Sequence, residues 1–310
     1  MTDTRGSLRK TRALALVAGL FAGCGGGGGS GPDAALSTGA DAGGGPASVC
    51  ADDGGVAPML CTCNPALASV TDLSGTWVLK TIGAQTVTAP TYPNPFHLKS
   101  IGVILVQLVQ TGNDIALTGH YCDRIQDDDP KDPAKVIVLD AWRLTPFPIQ
   151  RSGSFAPDDS GRLVLTLPSA ISAIEVAGAD LVNPATDVLP TDPTDPRLVD
   201  SDNDGYPGIS VGLSGLITGT LRSVQRQSTT LRGLAVAANR VEGGMAYQSD
   251  QSIVASDPPN IKDLYKLSTS STDPAVCSST FVMVKVSDDA DAGAVDCDWV
   301  RANEATLLGL

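Results

Sequence analysis

The order of apolar and polar positions along the chain is that of a strand-rich protein. Short β-branched or apolar runs recur, separated by Gly, Asn, Asp and Pro, and few segments keep a helical period. Residues 76–80 (Thr76-Trp77-Val78-Leu79-Lys80) form the first run. Residues 101–110 and 115–122 read as a hairpin about Thr111-Gly112-Asn113-Asp114, with Ile115, Leu117, Gly119 and Tyr121 on one face of the second arm. Further strands are expected at 135–141, 163–167, 209–216, 219–227, 230–236, 243–254 and 281–286. In the last of these Val282, Val284 and Val286 form the face expected to be buried. Helical signals are short, at 169–176, 261–267 and 300–308. About 8–10 strands without regularly alternating helices predict an all-β fold, an antiparallel barrel or sandwich with long loops.

The first residues follow another pattern. Arg5, Arg9, Lys10 and Arg12 precede an apolar stretch of about ten residues, too short for a membrane span of roughly 20 and of the length of a secretory leader. It ends in Phe21-Ala22-Gly23-Cys24, which resembles a bacterial lipobox with Phe in place of the commoner Leu. The resemblance implies removal of residues 1–23, a diacylglycerol on Cys24, acylation of the new N-terminus and a stable attachment to a lipid bilayer. Gly25 stands where an inner-membrane retention signal would place Asp, so the resemblance implies the outer membrane. Residues 24–49 then read as a flexible Gly/Ala/Ser tether reaching a few tens of ångströms, and 50–310 as the folded domain.

Charge and cysteine content narrow the function. The net charge is −13, and without residues 1–23 the balance is 17 Lys and Arg against 33 Asp and Glu, which repels nucleic acid. Cys50, Cys61, Cys63, Cys122, Cys277 and Cys297 form an even set in an oxidising compartment, consistent with disulfides. Six cysteines allow fifteen connectivities. Proximity in sequence favours Cys277 with Cys297, Cys50 with Cys61 or Cys63, and the remaining one with Cys122. Cys61-Thr62-Cys63 lacks zinc-type spacing.

The clearest chemical signal is Asp200-Ser201-Asp202-Asn203-Asp204-Gly205-Tyr206. Carboxylates at loop positions 1, 3 and 5 converge on a hard cation, and Gly205 permits the turn that lets the Tyr206 carbonyl join them. Val211 stands where an EF-hand has Glu, so the run resembles the incomplete calcium loops of extracellular proteins. Asp192 or Asp195 could add oxygens, with affinity of about 10⁻⁴–10⁻³ M and the role of pinning the loop 183–208. Asp127-Asp128-Asp129 with Asp132, and Asp288-Asp289 with Asp291, read as solvated loops.

Catalytic patterns are scarce. His97 and His120 are the two histidines, and there is no Gly-x-Ser-x-Gly, His-Glu-x-x-His or phosphate loop. Two facing carboxylates would suffice for a carboxylate-dependent hydrolase, a minor alternative whose pair the sequence does not place. The main expectation is an outer-membrane-anchored protein with a structural or interaction role, stabilised by a calcium loop. The alternative is a carrier, because Gly75-Thr76-Trp77 resembles the Gly-x-Trp start of lipocalin-like proteins and implies a small apolar ligand. The tether, the Asp-rich loop running through Pro207-Gly208 into a strand, and late Cys297 are together similar to secreted lipoproteins of myxobacterial type, a likeness that implies export and β-structure and no activity.

Overall fold

β-Branched and apolar alternation builds one large antiparallel sheet in the computed structural model of the chain, which describes residues 60–62, 66, 72–88, 96–128, 134–171, 174–215, 218–265, 269–273, 277–287 and 295–308. Its strands are β1 (Gly75–Thr88), β2 (Phe96–Thr111), β3 (Asp114–Asp128), β4 (Ala134–Val138), β5 (Pro148–Pro157) and β6 (Leu163–Leu167). They continue as β7 (Ile174–Ala177), β8 (Ile209–Gly215), β9 (Gly219–Ala237), β10 (Arg240–Asp257), β11 (Thr269–Thr272) and β12 (Thr280–Ser287). Among the described residues three short helices accompany them: α1 (Asp140–Leu144), α2 (Ile261–Tyr265) and α3 (Cys297–Leu308). Cys24, Cys50, Cys63 and the tether lie outside the described residues.

The all-β expectation stands at the level of a large, sandwich-like antiparallel sheet; the expected barrel does not. Twelve strands join into one branched sheet that runs β10-β12-β1-β2-β3-β5-β6-β9-β8-β4, with β7 and β11 as side branches on β9 and β1. β4 ends the path with β8 as its single strand partner among the described residues, so the sheet as a whole does not close into a barrel. It does curl. β9 pairs with both β6 and β10, and β1, β2, β3, β5, β6, β9, β10 and β12 all contribute to one apolar core. Trp77, Leu79, Ile104, Val106, Leu117 and Leu165 lie at its centre, each almost fully buried.

Several local expectations change for physical reasons. Residues 219–227 and 230–236 are one strand, because Ser228 and Thr229 carry no turn chemistry and pair directly with Gln248 and Tyr247 of β10. β5 is absent from the sequence reading because Arg151 interrupts its buried face, yet that arginine is buried and ion-paired. Residues 174–177 form β7 on the edge of β9 rather than the end of a helix. β12 buries both faces: Phe281 and Met283 enter the main core, while Val282, Val284 and Val286 pack beneath Val300 and Leu308 of α3. Between α3 and the sheet, burial raises the Glu304 carboxyl and lowers the Lys80 ammonium, each partly offset by the other's charge.

The cysteine pairing is also corrected. Cys61 joins Cys277 and Cys122 joins Cys297, across 216 and 175 residues of sequence. Cys277 lies three residues before β12 and reaches Cys61 ahead of β1, whereas Cys297 opens α3 and reaches Cys122 of β3, so closeness in sequence misassigned them.

Candidate functional site

The curled sheet changes character along its length. On the inward face of β1 the side chains run Trp77, Leu79, Thr81, Gly83, Gln85, and opposite them on β2 run Val106, Ile104, Gly102, Ser100. One end is filled with large apolar groups, and the other has small or polar ones. β9 repeats the gradient from Ala235 and Leu231 to Gln227 and Gln225. A Cβ on Gly102 would meet the Tyr121 ring at 2.8 Å, and one on Gly83 would meet Met245 and Tyr247 at 3.2 Å, so these glycines leave room for aromatic walls. The result is a cavity of about 90 Å³, bounded by these residues and by Trp142, Phe147 and Glu175.

Arg124 is the principal charged group of that cavity. Its side chain is stacked 3.9 Å from the Trp142 ring centre and 4.3 Å from that of Tyr121, where cation–π attraction offsets part of its desolvation. Nη1 donates to the carbonyls of Trp142 and Thr145 at 2.8 and 2.9 Å. Burial pushes the guanidinium down to about 10, which leaves it charged at neutral pH. A register shift in β2–β3 pairing, where Val103 faces Asp123 and Ile104 faces Tyr121, turns both Tyr121 and Arg124 toward this space. Adjacent Asp123 is occupied by Arg143, which donates to both of its oxygens at 2.7 and 2.8 Å.

Glu175 is held from two sides. The Tyr121 hydroxyl donates to Oε2 at 2.9 Å and Arg151 Nη2 to Oε1 at 3.0 Å, while Arg151 also donates to the carbonyl and hydroxyl of Thr229. Burial and the negative charge of Glu175 raise the Tyr121 phenol, which stays protonated. Glu175 is thus bonded to Arg151 and Tyr121, while Arg124 feels it only as a nearby charge.

Four cavity-lining polar atoms have no hydrogen-bond partner among the described residues: Gln85 Oε1, Arg124 Nη2, Gln126 Nε2 and Gln225 Nε2. The sequence reading named none of these residues as a site. Their signal was a glutamine or arginine interrupting apolar alternation, which becomes legible only once the facing strands are known.

The acidic loop forms a second, separate candidate. Ligand oxygens of Asp200, Asp202 and Asp204 lie within 4.8 Å of one another, a cluster that could hold a metal ion. Positive φ at Asn203, Gly205 and Gly208 wraps the chain around it. Asp200 accepts from the amides of Asp204 and Gly205 at 3.2 and 2.9 Å, and Asp202 Oδ2 accepts from the Ser210 amide at 2.8 Å, tying the loop to β8. Asp202 is 3% exposed, its Oδ1 has no partner among the described residues, and burial pushes its carboxyl up to about 6. Tyr206 stacks beneath Arg222 at 3.7 Å. Asp192 and Asp195 are engaged elsewhere, by Thr194 and by Arg197. His120, Cys122 and Cys297 also cluster, but the two sulfurs are joined to each other, which removes them as thiolate ligands.

Comparison with known proteins gives no relative: no family model, curated protein or solved structure matches the chain.

Proposed function

We propose that the chain is an exported, lipid-anchored carrier that holds a small molecule inside the curled sheet. The observation that supports this most is the interior cavity, whose walls present aromatic rings and four buried polar atoms left without partners. Buried polar groups are ordinarily satisfied, and four open ones facing the same cavity suit a ligand or water placed there. The leader and Cys24 supply the anchor, the acylated cysteine inserting into the bacterial outer membrane while the tether holds the body clear of it. Mass spectrometry of the mature N-terminus tests the anchor, which requires cleavage before Cys24 and an acyl mass upon it.

A fragment screen by thermal melting tests the carrier. Ligands that occupy the cavity bind the native state alone and raise the midpoint, and they also perturb the fluorescence of Trp142. A set of small polar and aromatic fragments that moves neither signal at millimolar concentration would remove this reading.

Calcium at the acidic loop has a structural task in this account. The buried Asp202 carboxylate ties the loop to β8, and a cation would neutralise the three crowded charges. With its folded-state value raised, Asp202 contributes stability below the ordinary Asp range, and that contribution is lost as pH rises through about 6 unless a cation replaces the proton. At neutral pH, ten millimolar calcium is therefore expected to stabilise the chain by about 1.5–3 kcal/mol over chelator. D202N is expected to abolish the difference; an unchanged response in D202N would place the calcium effect elsewhere.

A further inference from the structure

We propose that the interior cavity selects the anion of a small carboxylic acid that also carries a hydroxyl or amino donor. The inference rests on the carrier reading and names the ligand class. Three of the four unpartnered atoms are donors: Arg124 Nη2, Gln126 Nε2 and Gln225 Nε2. A carboxylate offers about four lone-pair directions on two oxygens, more acceptor capacity than an amide or alcohol of the same size. In the assignment where the Gln126 Oε1 accepts from the Ser100 hydroxyl at 3.0 Å, its Nε2 is left for the ligand.

Charge points the same way. Arg151 and Glu175 form an ion pair at 3.0 Å, which leaves Arg124 as the surplus cation of the cavity, satisfied on Nη1 by carbonyl dipoles alone. Asp123 is bound by Arg143 and does not fill that role. A buried cation with an open donor gains most from a charged acceptor, since charge-assisted hydrogen bonds are roughly twice as strong as neutral ones. The remaining orphan, Gln85 Oε1, is an acceptor and calls for a donor on the same ligand. Met245 and the Tyr121, Trp142 and Tyr247 rings provide the apolar wall for its carbon skeleton.

Size limits the class. At about 90 Å³ the cavity is smaller than the ~150 Å³ engineered cavity that accepts benzene, so it suits a short acid rather than a long fatty chain. A short, charged ligand of this kind takes the place of the small apolar ligand implied by the lipocalin-like start.

Isothermal titration of the full mature chain with lactate, lactamide, propionate and benzyl alcohol at neutral pH tests this. Lactate is expected to bind at a single site about tenfold or more tighter than lactamide, and several-fold tighter than propionate. R124Q is expected to erase the preference for lactate over lactamide. Because R124Q also removes the contacts that hold α1, Q225M provides a second arm, in which lactate is expected to weaken several-fold with the melting midpoint unchanged or raised. Lactamide or benzyl alcohol binding as tightly as lactate would overturn the anion class and leave the carrier standing. No binding by any of the four probes, with no response in Q225M, would overturn both.

Discussion

W77A is expected to lower the free energy of unfolding by about 3–5 kcal/mol, a large share of a typical domain's 5–15 kcal/mol. Trp77 is fully buried at the filled end of the interior, where it sits with Leu79, Val106 and Leu117. Its Nε1 donates to the Leu73 carbonyl at 2.7 Å, closing the chain segment that enters β1 over that end. Alanine would open a cavity among side chains contributed by several strands, which cannot collapse together without breaking their pairing. W77F separates the two contributions: it keeps most of the volume, loses the hydrogen bond, and is expected to cost about 1–2 kcal/mol beyond its lost area. Urea denaturation followed by circular dichroism measures both. A W77A loss below 1 kcal/mol would mean that this end of the sheet is not the packed floor described here.

Removing the Cys122–Cys297 bridge is expected to have an effect of similar size. The bond closes a 175-residue separation, for which chain-entropy arguments give about 4–5 kcal/mol. It also fixes the first residue of α3 to β3, and α3 is the cover for Val78, Val103 and Val284. C122S/C297S is therefore expected to expose the outer face of β1, β2 and β12 and to bind a hydrophobic dye before the main core unfolds. C61S/C277S removes a longer closure, across 216 residues, and its loss is expected to appear in overall stability. Peptide mapping without reduction must recover Cys61 with Cys277 and Cys122 with Cys297. Recovery of a Cys277–Cys297 peptide would contradict the fold at α3.

The sequence carried the local part of this structure and missed the part that depends on strand neighbours. Alternation at Ile115, Leu117 and Tyr121 identified a buried face correctly, because a strand's period is independent of what packs against it. The same reasoning applied to β12 found Val282, Val284 and Val286 but not that Phe281 and Met283 are buried as well, since α3 covers the outer face from later in the chain. Arg151 hid β5 for a related reason: a charge on an apolar face reads as a break until its partner, Glu175 on a distant strand, is known. The acidic loop was legible because its carboxylates alternate within five residues of sequence, and the structure brings Asp200, Asp202 and Asp204 together while leaving Asp192 and Asp195 with other partners. The cavity was not legible. Its polar atoms come from β1, β3 and β9, and single-strand patterns do not show that Gln85, Arg124 and Gln225 line one cavity.

The central claim, that this space is a ligand site and not merely incomplete packing, is tested most directly by an experimental electron-density map of the mature chain crystallised with saturating lactate. The account predicts planar carboxylate density within hydrogen-bonding distance of Arg124 Nη2, with the hydroxyl toward Gln85. Side chains collapsed into the cavity, with Arg124 Nη2 bonded to the protein itself and no room left for a guest, would contradict it.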